Sequence, residues 1–394
     1  MPVTMDSREE RAGAGVEGPA GWALPEGPWV LHSTPELGNL TERWIDIQVQ
    51  AHTALGARLL GNALADGATR RPYHLMATDR LDVRLGYGLM MHTRGHSMRA
   101  LKRALAPNPP VALHVHFGLY GAAHAPLAKA LGVPLVVSFY GADATMKSLL
   151  ASRTWRRRYA RMFAAGDAFL AEGPAMAERI AALGCPREKL HVVRLPADAD
   201  GLRELASERP DGLLVGMAGR FCEKKGFDVG IRAFAAALGG RDDARLLMVG
   251  GGELEPELRR LVAESGIAEQ TTFAGRLPFG EFMTRLGGCS LALHPSRTAA
   301  DGDSEGGAPV TLIESQWLGV PAIVSDHDDL SFVSAPDGSV TLPPLDADAW
   351  AGTLSALADD PARLAAMAAA SSRFAREHHS PAANAAAREA IYRA

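Results

Sequence analysis

Cysteine is scarce: the chain has three in 394 residues, Cys185, Cys222 and Cys289, far apart and odd in number. That excludes a disulfide framework and a zinc site built on paired cysteines, and it predicts a reducing, cytoplasmic setting. An excess of charge is also lacking. The 41 basic and 45 acidic residues leave a formal charge of −4, without the whole-chain positive field of a nucleic-acid binder, so a charged partner has to be met locally. No apolar run approaches the roughly 18 residues that suggest a spanning helix, and MPVTMDSREERAGAGVEGPAG at the start has no apolar secretion core. Repeats of solenoid length are absent too. What is present is 47% hydrophobic residues over a length that allows two or three domains with sizeable cores.

Residues 1–28, rich in Gly, Ala and charge, are expected to be a flexible tail. From Trp29 short β-like runs alternate with helical ones. WVLHS is a first strand, the turn Pro35-Glu36-Leu37-Gly38-Asn39 follows, and a long helical stretch is expected from near Thr41. ALHVHF, PLVVSFYG, AFLAEG and KLHVVRLP are further strand candidates, separated by helical runs. Residues 197–211 are polar, without a strand signal, and read as a linker. The alternation then restarts with GLLVGMAG and continues to AIVSD before an Ala-rich helical end. This is an α/β chain with two successive, mostly parallel, doubly wound domains, 29–196 and 212–375, facing a cleft. A closing helix over 376–394 can return to the first domain.

Chemistry concentrates in two places. In Asp303 to Ser325, DSEGGAPVTLIESQWLGVPAIVS, an acidic loop leads through Gly306, Gly307 and Ala308 to a helix opened by Pro309. Proline suits the first helical position because its missing N–H would be unpaired there. The free amides near Val310 and Thr311, at the positive end of the helix dipole, predict a phosphate site. Glu314 shares their helical face and can accept both ribose hydroxyls of a nucleotide, unless it is an ordinary surface glutamate. Glu305 lies where a sugar beyond the diphosphate would project, its alternative being a plain acidic loop residue. The second place is Gly219-Arg220-Phe221-Cys222-Glu223-Lys224-Lys225-Gly226, between a strand and a helix. Arg220 and Lys225 can clamp a diphosphate and offset leaving-group charge, where lone loop cations would be merely solvated.

GRFCEKKGFD, LLMVGGGELEPELRRL, FAGRLP, LALHPS and EGGAPVTLIES…LGVPAIVS, in this order, resemble the nucleotide-binding half of glycosyltransferase family 4, retaining enzymes of the GT-B fold. The resemblance runs from about Trp29 to the C-terminus and is clearest from Gly216 to Ser325. It implies two Rossmann-like domains, a nucleotide-diphosphate sugar held mainly by the second, and a hydroxyl acceptor held mainly by the first, with no cofactor and no metal. By the resemblance, Arg220 and Lys225 are the diphosphate pair, Glu314 the ribose glutamate, and Arg276 marks where the base packs. Gly38 matches a loop that closes on the diphosphate. The family's Glu-x7-Glu spacing leads back from Glu314 to Gly306, so Glu305 is one residue further away. The extra residue either bulges outward, leaving Glu305 by the sugar, or carries that carboxylate off. In SFYGADA the family's histidine is replaced by Tyr140, a poor base near neutral pH, though a phenol can hydrogen-bond a sugar or phosphate. A front-face mechanism that needs no protein base fits this change.

His114 and His116 alternate along one strand and share a face, but no third ligand stands at a recognisable spacing, so a metal pair is not expected. His116 and Asp143 are candidates for acceptor contact. Arg153, Arg157 and Arg161 make one stripe of a helix, read as a solvated face or as a weak contact with an anionic acceptor or a membrane surface. Gly250-Gly251-Gly252 lacks the spaced third glycine and downstream acid of a dinucleotide fingerprint. A nucleotide-sugar epimerase on the same fold and a non-catalytic nucleotide-sugar sensor are the rival readings.

Overall fold

The computed structural model describes residues 16–17, 22–39, 42–79, 98–197, 212–305 and 307–394. Two parallel sheets dominate it. The first has seven strands in the order Leu190–Val192, Ala168–Ala171, Leu135–Ser138, Ala112–His116, Trp29–Ser33, Gly56–Gly61 and His74–Met76. The second has six, in the order Thr271–Gly275, Ala244–Gly251, Leu213–Arg220, Leu291–His294, Ala322–Ser325 and Ser339–Leu342. The apolar runs LALH and AIVS are buried along their whole length, as strands covered on both faces must be. In each sheet the chain winds outward from one central strand and then returns to its other side. The resulting crevice in the second sheet lies between Leu213–Arg220 and Leu291–His294, and ligands bind at the carboxyl ends of such strands.

Helices cover both faces. In the second domain Phe227, Ile231, Phe234 and Leu238 of one helix join Trp350 and Leu354 of another on one side. Met283, Leu286, Leu312, Ile313 and Trp317 close the other. In the first domain the helices Gly118–Leu131 and Arg153–Ala165 cover one face. Part of the opposite face is filled by the last helix, Pro381–Arg393, whose Tyr392 packs on Val30, Ala112 and Val136. Thus the C-terminal helix lies against the first sheet, where the buried Glu389 accepts hydrogen bonds from the amides of Thr53 and Ala54 at 3.2 and 3.3 Å.

Several expectations need correction. The tail is anchored well before residue 29: Trp22 and Leu24 are buried in the first core, and the Trp22 indole donates to the Met76 carbonyl at 3.1 Å. Burying two large apolar side chains outweighs the disorder that the flanking composition favours. The long helix from Thr41 is only Arg43–Gln50, because GARLLG is the edge-side strand Gly56–Gly61. That apolar run, covered on both faces, carries no alternation to mark it as a strand. Ser339–Leu342 was likewise hidden, being a short, half-buried edge strand. Pro309 stands at the helix N-cap, one residue before Val310–Trp317 begins. Residues 198–211, all of the expected linker 197–211 but the buried Ala197, and Gly306 lie outside the described residues. Arg153, Arg157 and Arg161 are exposed, while Tyr159, Met162 and Phe163 of the same helix are buried. Among the described residues no helix is long and apolar enough to cross a membrane.

Candidate functional site

The site is assembled at the carboxyl edge of the second sheet. Strand Leu213–Arg220 ends with Gly219 at φ 145° and an exposed Arg220, which pairs in register with Gly251 of the next strand. A short turn, Glu223–Lys225, follows and ends in Gly226 at φ 62°, from which the helix Phe227–Leu238 departs. Lys225 folds back over Gly219: a side chain there would come within 3.4 Å of the Lys225 methylene next to its ammonium. Arg276 leaves strand Thr271–Gly275 and passes beside Gly251. Arg220, Lys225 and Arg276 therefore surround the ends of two neighbouring strands.

In the acidic loop the Glu305 carboxylate is turned toward Lys225. Its Oε1 is 2.6 Å from the Lys225 ammonium, and Ser296 donates to its Oε2 at 3.3 Å. The Gly307 N–H donates to the Glu305 carbonyl at 2.9 Å. Burial raises the Glu305 pKa, but Lys225 and Lys224 outweigh it and hold the group below the ordinary carboxylate range. Lys224 is itself paired with Asp303 at 3.0 Å. Glu305 and Lys225 thus form an ionised pair within the crevice, while Arg220 remains open at its mouth.

Glu314 lies one turn into the helix Val310–Trp317 and is 8% exposed. Burial pushes its carboxyl up to about 8, against the pull of Arg43, which reaches over from the first domain and stacks 3.5 Å from the Phe279 ring. A carboxyl raised in this way costs stability as pH rises: the unfolded chain loses its proton first, so the cost grows from the ordinary value of 4.5 upward and is complete above about 8. Glu314→Gln is therefore expected to melt above the wild type at pH 8 and to match it near pH 4. Melting curves across that range check the sign; a lower melting temperature at pH 8 would contradict it.

The first domain contributes differently from what its motifs predict. The Tyr140 hydroxyl is turned inward, 2.6 Å from His116 Nδ1, so the phenol is engaged inside the domain and its half-buried ring faces Trp44 and Phe117. His116, a candidate for acceptor contact, is fully buried, and burial lowers its pKa to about 3. Asp143 is 4% exposed, and its carboxylate accepts the N–H groups of Gly118 at 2.7 Å and of Tyr140 and Gly141 at 3.1 Å. It organises the Tyr140–Gly141 turn. That turn matters, because Gly141, at φ 127°, lies against the Glu305 carbonyl. Gly38 adopts φ 70° and turns the chain out of the strand Glu36–Leu37 against Ala68.

His32, unnoticed in the sequence, completes a buried trio with His114 and His116, their ring nitrogens within 4.8 Å. It stands in register with His114 on the adjacent strand, a pairing that only the sheet order reveals. The ring nitrogens already have hydrogen-bond partners: His32 meets His116 at 3.0 Å and His52 at 3.1 Å, and His114 meets Tyr392 at 2.6 Å and Ser138 at 2.8 Å. Burial lowers the pKa of every member, and the neighbouring Arg388 guanidinium adds to it. A set of neutral, hydrogen-bonded rings ties the last helix to the sheet.

Two residues escaped sequence reasoning at the crevice itself. Glu172, directly after strand Ala168–Ala171, accepts the Ala308 N–H at 2.7 Å across the cleft. Asp329 of the second domain accepts the N–H groups of Ala175 and Met176 at 2.7 and 2.9 Å, capping the helix Pro174–Ala182 of the first. The weak signal for both was a carboxylate near a glycine or helix start. Ala308 and Gly307 are buried, whereas Val310 and Thr311 stay half-exposed at the helix start.

This architecture, two Rossmann-like α/β domains facing a cleft, is the GT-B fold. The family of Glycosyl transferases group 1 matches residues 202–374, and the Glycosyl transferase 4-like domain matches residues 53–196. The chain belongs to the group 1 glycosyl transferases, of the family 4 kind. It is 31% identical over 219 residues to the amylovoran biosynthesis glycosyltransferase AmsK of Erwinia amylovora, a match covering 55% of this chain and 53% of that one. It is 30% identical over 175 residues to the GDP-mannose-dependent monoacylated alpha-(1-6)-phosphatidylinositol monomannoside mannosyltransferase of Corynebacterium glutamicum, covering 44% of this chain and 45% of that one. The chain thus spans about half the length of these relatives. The structure of Anabaena Alr3699/HepE in complex with UDP-glucose superimposes with a TM-score of 0.68 at 14% identity, over 93% of this chain and 100% of that one.

Proposed function

We propose that the protein is a metal-independent, retaining glycosyltransferase that moves a hexose-like unit from a nucleotide-diphosphate sugar to an acceptor hydroxyl. The observation that carries this reading is the Lys225–Glu305 pair at 2.6 Å, which joins the loop after the strand ending at the exposed Arg220 to the loop before the helix bearing Glu314. Arg220 and Lys225 take the diphosphate, Glu314 the ribose, and Glu305 a sugar hydroxyl, while the amides of Val310 and Thr311 serve the phosphate. In the reaction the acceptor oxygen bonds to the anomeric carbon on the face that the diphosphate leaves. The anomeric carbon–oxygen bond to phosphate breaks, the electron pair stays on the diphosphate, and its oxygen takes the acceptor proton. Lys225 and Arg220 offset the charge that develops there. No protein base is needed, in keeping with the inward-turned Tyr140 and the buried His116.

Relatives named for amylovoran biosynthesis and for mannosyl transfer to a glycolipid support a polysaccharide or glycoconjugate acceptor. The exposed arginine stripe at Arg153, Arg157 and Arg161 suits a weak contact with an anionic acceptor or membrane surface, from the cytoplasmic side. A thermal-shift screen with UDP, GDP and their sugars, in EDTA, tests the donor. One base is expected to raise the melting temperature, since a ligand that binds only the native state stabilises it. No shift with any nucleotide would contradict the reading.

A further inference from the structure

Glu172 stands at the carboxyl end of a parallel strand in the first domain, yet it is bonded to the glycine loop of the second. The contact is built with care on both sides. At Gly307 a Cβ would overlap the Glu172 carboxylate and come within 2.7 Å of its Cβ, so only glycine admits this approach. At Gly173, the next residue after Glu172, a Cβ would overlap the Asp329 carboxylate. Asp329 in turn holds Ala175 and Met176. The turn that carries Glu172 is therefore pinned by the second domain, and Glu172 reaches back to that domain's Ala308.

The position lies inside the candidate site. Glu305 and Asp143 act on Glu172 through space, together with Asp329, and Tyr140 lines the same small pocket. Burial above all pushes its pKa well above the ordinary range, against the pull of the Ala308 bond, and the three carboxylates add to the rise. An N–H and a carboxyl group that face one another are complementary to a hydroxyl, which accepts from the first and donates to the second. A phosphate oxygen entering there would satisfy the N–H but face the Glu305 and Asp329 carboxylates as like charges, whereas an alcohol carries no charge for them to oppose.

We propose that Glu172 reads a hydroxyl of the transferred sugar, which inserts between Glu172 and the Ala308 N–H that bond directly in the donor-free protein. This rests on the nucleotide-sugar reading above and adds to it a specificity-determining residue from the first domain. In the bound state the phosphates stay with Arg220, Lys225 and the helix start, and the sugar bridges the two domains through Glu172.

Calorimetric titration of the full chain with UDP and UDP-glucose, and with GDP and GDP-mannose, tests the proposal by comparing each diphosphate with its sugar. In the wild type one sugar nucleotide is expected to bind more tightly than its own diphosphate. Glu172→Ala is expected to reduce that gain about tenfold, the scale of a lost hydrogen bond to a charged or buried group, and to leave the diphosphate Kd within about twofold. Glu172→Gln, which keeps an acceptor oxygen, is expected to fall between, and it carries the test should the alanine variant fail to fold. An unchanged ratio overturns the proposal, as does equal weakening of both ligands. Equal tightening of both also overturns it, since Glu172 would then be only a competitor for Ala308. If the wild type binds a diphosphate but gains nothing from its sugar, Glu172 reads no sugar, although the nucleotide reading stands. If it binds neither pair, that reading fails and this one with it.

Discussion

Lys225→Ala is expected to lower the rate of sugar-nucleotide consumption at least about 100-fold, with a raised donor KM. Removing a preorganised charge from a developing oxyanion costs about 10²–10³ in rate, and Lys225 is the cation aimed into the crevice at 2.6 Å from Glu305. The substitution has a second effect. It leaves Glu305 buried without its main counter-charge, so its pKa rises and the fold loses part of what the pair contributed. The double variant Lys225→Ala, Glu305→Gln separates the two, because it removes the unpaired carboxylate: its melting temperature is expected to recover, and its activity is not. Full activity in Lys225→Ala with an unchanged donor KM would remove this lysine from the mechanism.

Gly226→Ala is expected to unfold the same loop. Gly226 has φ 62°, and a Cβ there would overlap the Pro295 carbonyl, a backbone atom that cannot turn aside. The strained backbone alone costs about 1–3 kcal/mol, and the overlap adds to it by separating the Lys225 turn from the strand that ends at His294. For a domain of this size each kcal/mol lowers the melting temperature by about 2–4 °C. The expected result is a clear loss of stability together with loss of nucleotide binding, since Lys225 precedes the glycine directly. As a control, Gly240→Ala also replaces a left-handed glycine, at φ 79°, but in open space, and should cost only the backbone strain. Equal melting temperatures for the two variants would contradict the packing argument.

The second domain was the legible half. Its strands are apolar runs ended by glycine or a charged loop, so the order of Leu213–Arg220, Ala244–Gly251 and Leu291–His294 could be followed residue by residue. The helix carrying Glu314 could be placed to within one residue from a proline and two glycines. The first domain was less legible because what decides its shape is non-local. His32 meets His116 from 84 residues away, and His114 meets Tyr392 across 278. No spacing rule connects them. The same holds for Asp143: its sequence neighbourhood resembles an acceptor site, but its carboxylate is spent on three backbone amides that only the folded turn brings together. Glu172 was hidden for the opposite reason, since a glutamate after a strand is unremarked until the partner amide, 136 residues on, arrives beside it.

The proposed transfer, with retention and without metal, is checked by incubating the protein in EDTA with the nucleotide sugar that stabilises it, plus an alcohol acceptor, and following the anomeric proton by NMR. Release of the nucleoside diphosphate and a first-formed product of α configuration from an α-linked donor are expected. A β product, an epimerised sugar still joined to its nucleotide, turnover only after a divalent metal is restored, or binding with no turnover against a broad acceptor panel would each contradict it.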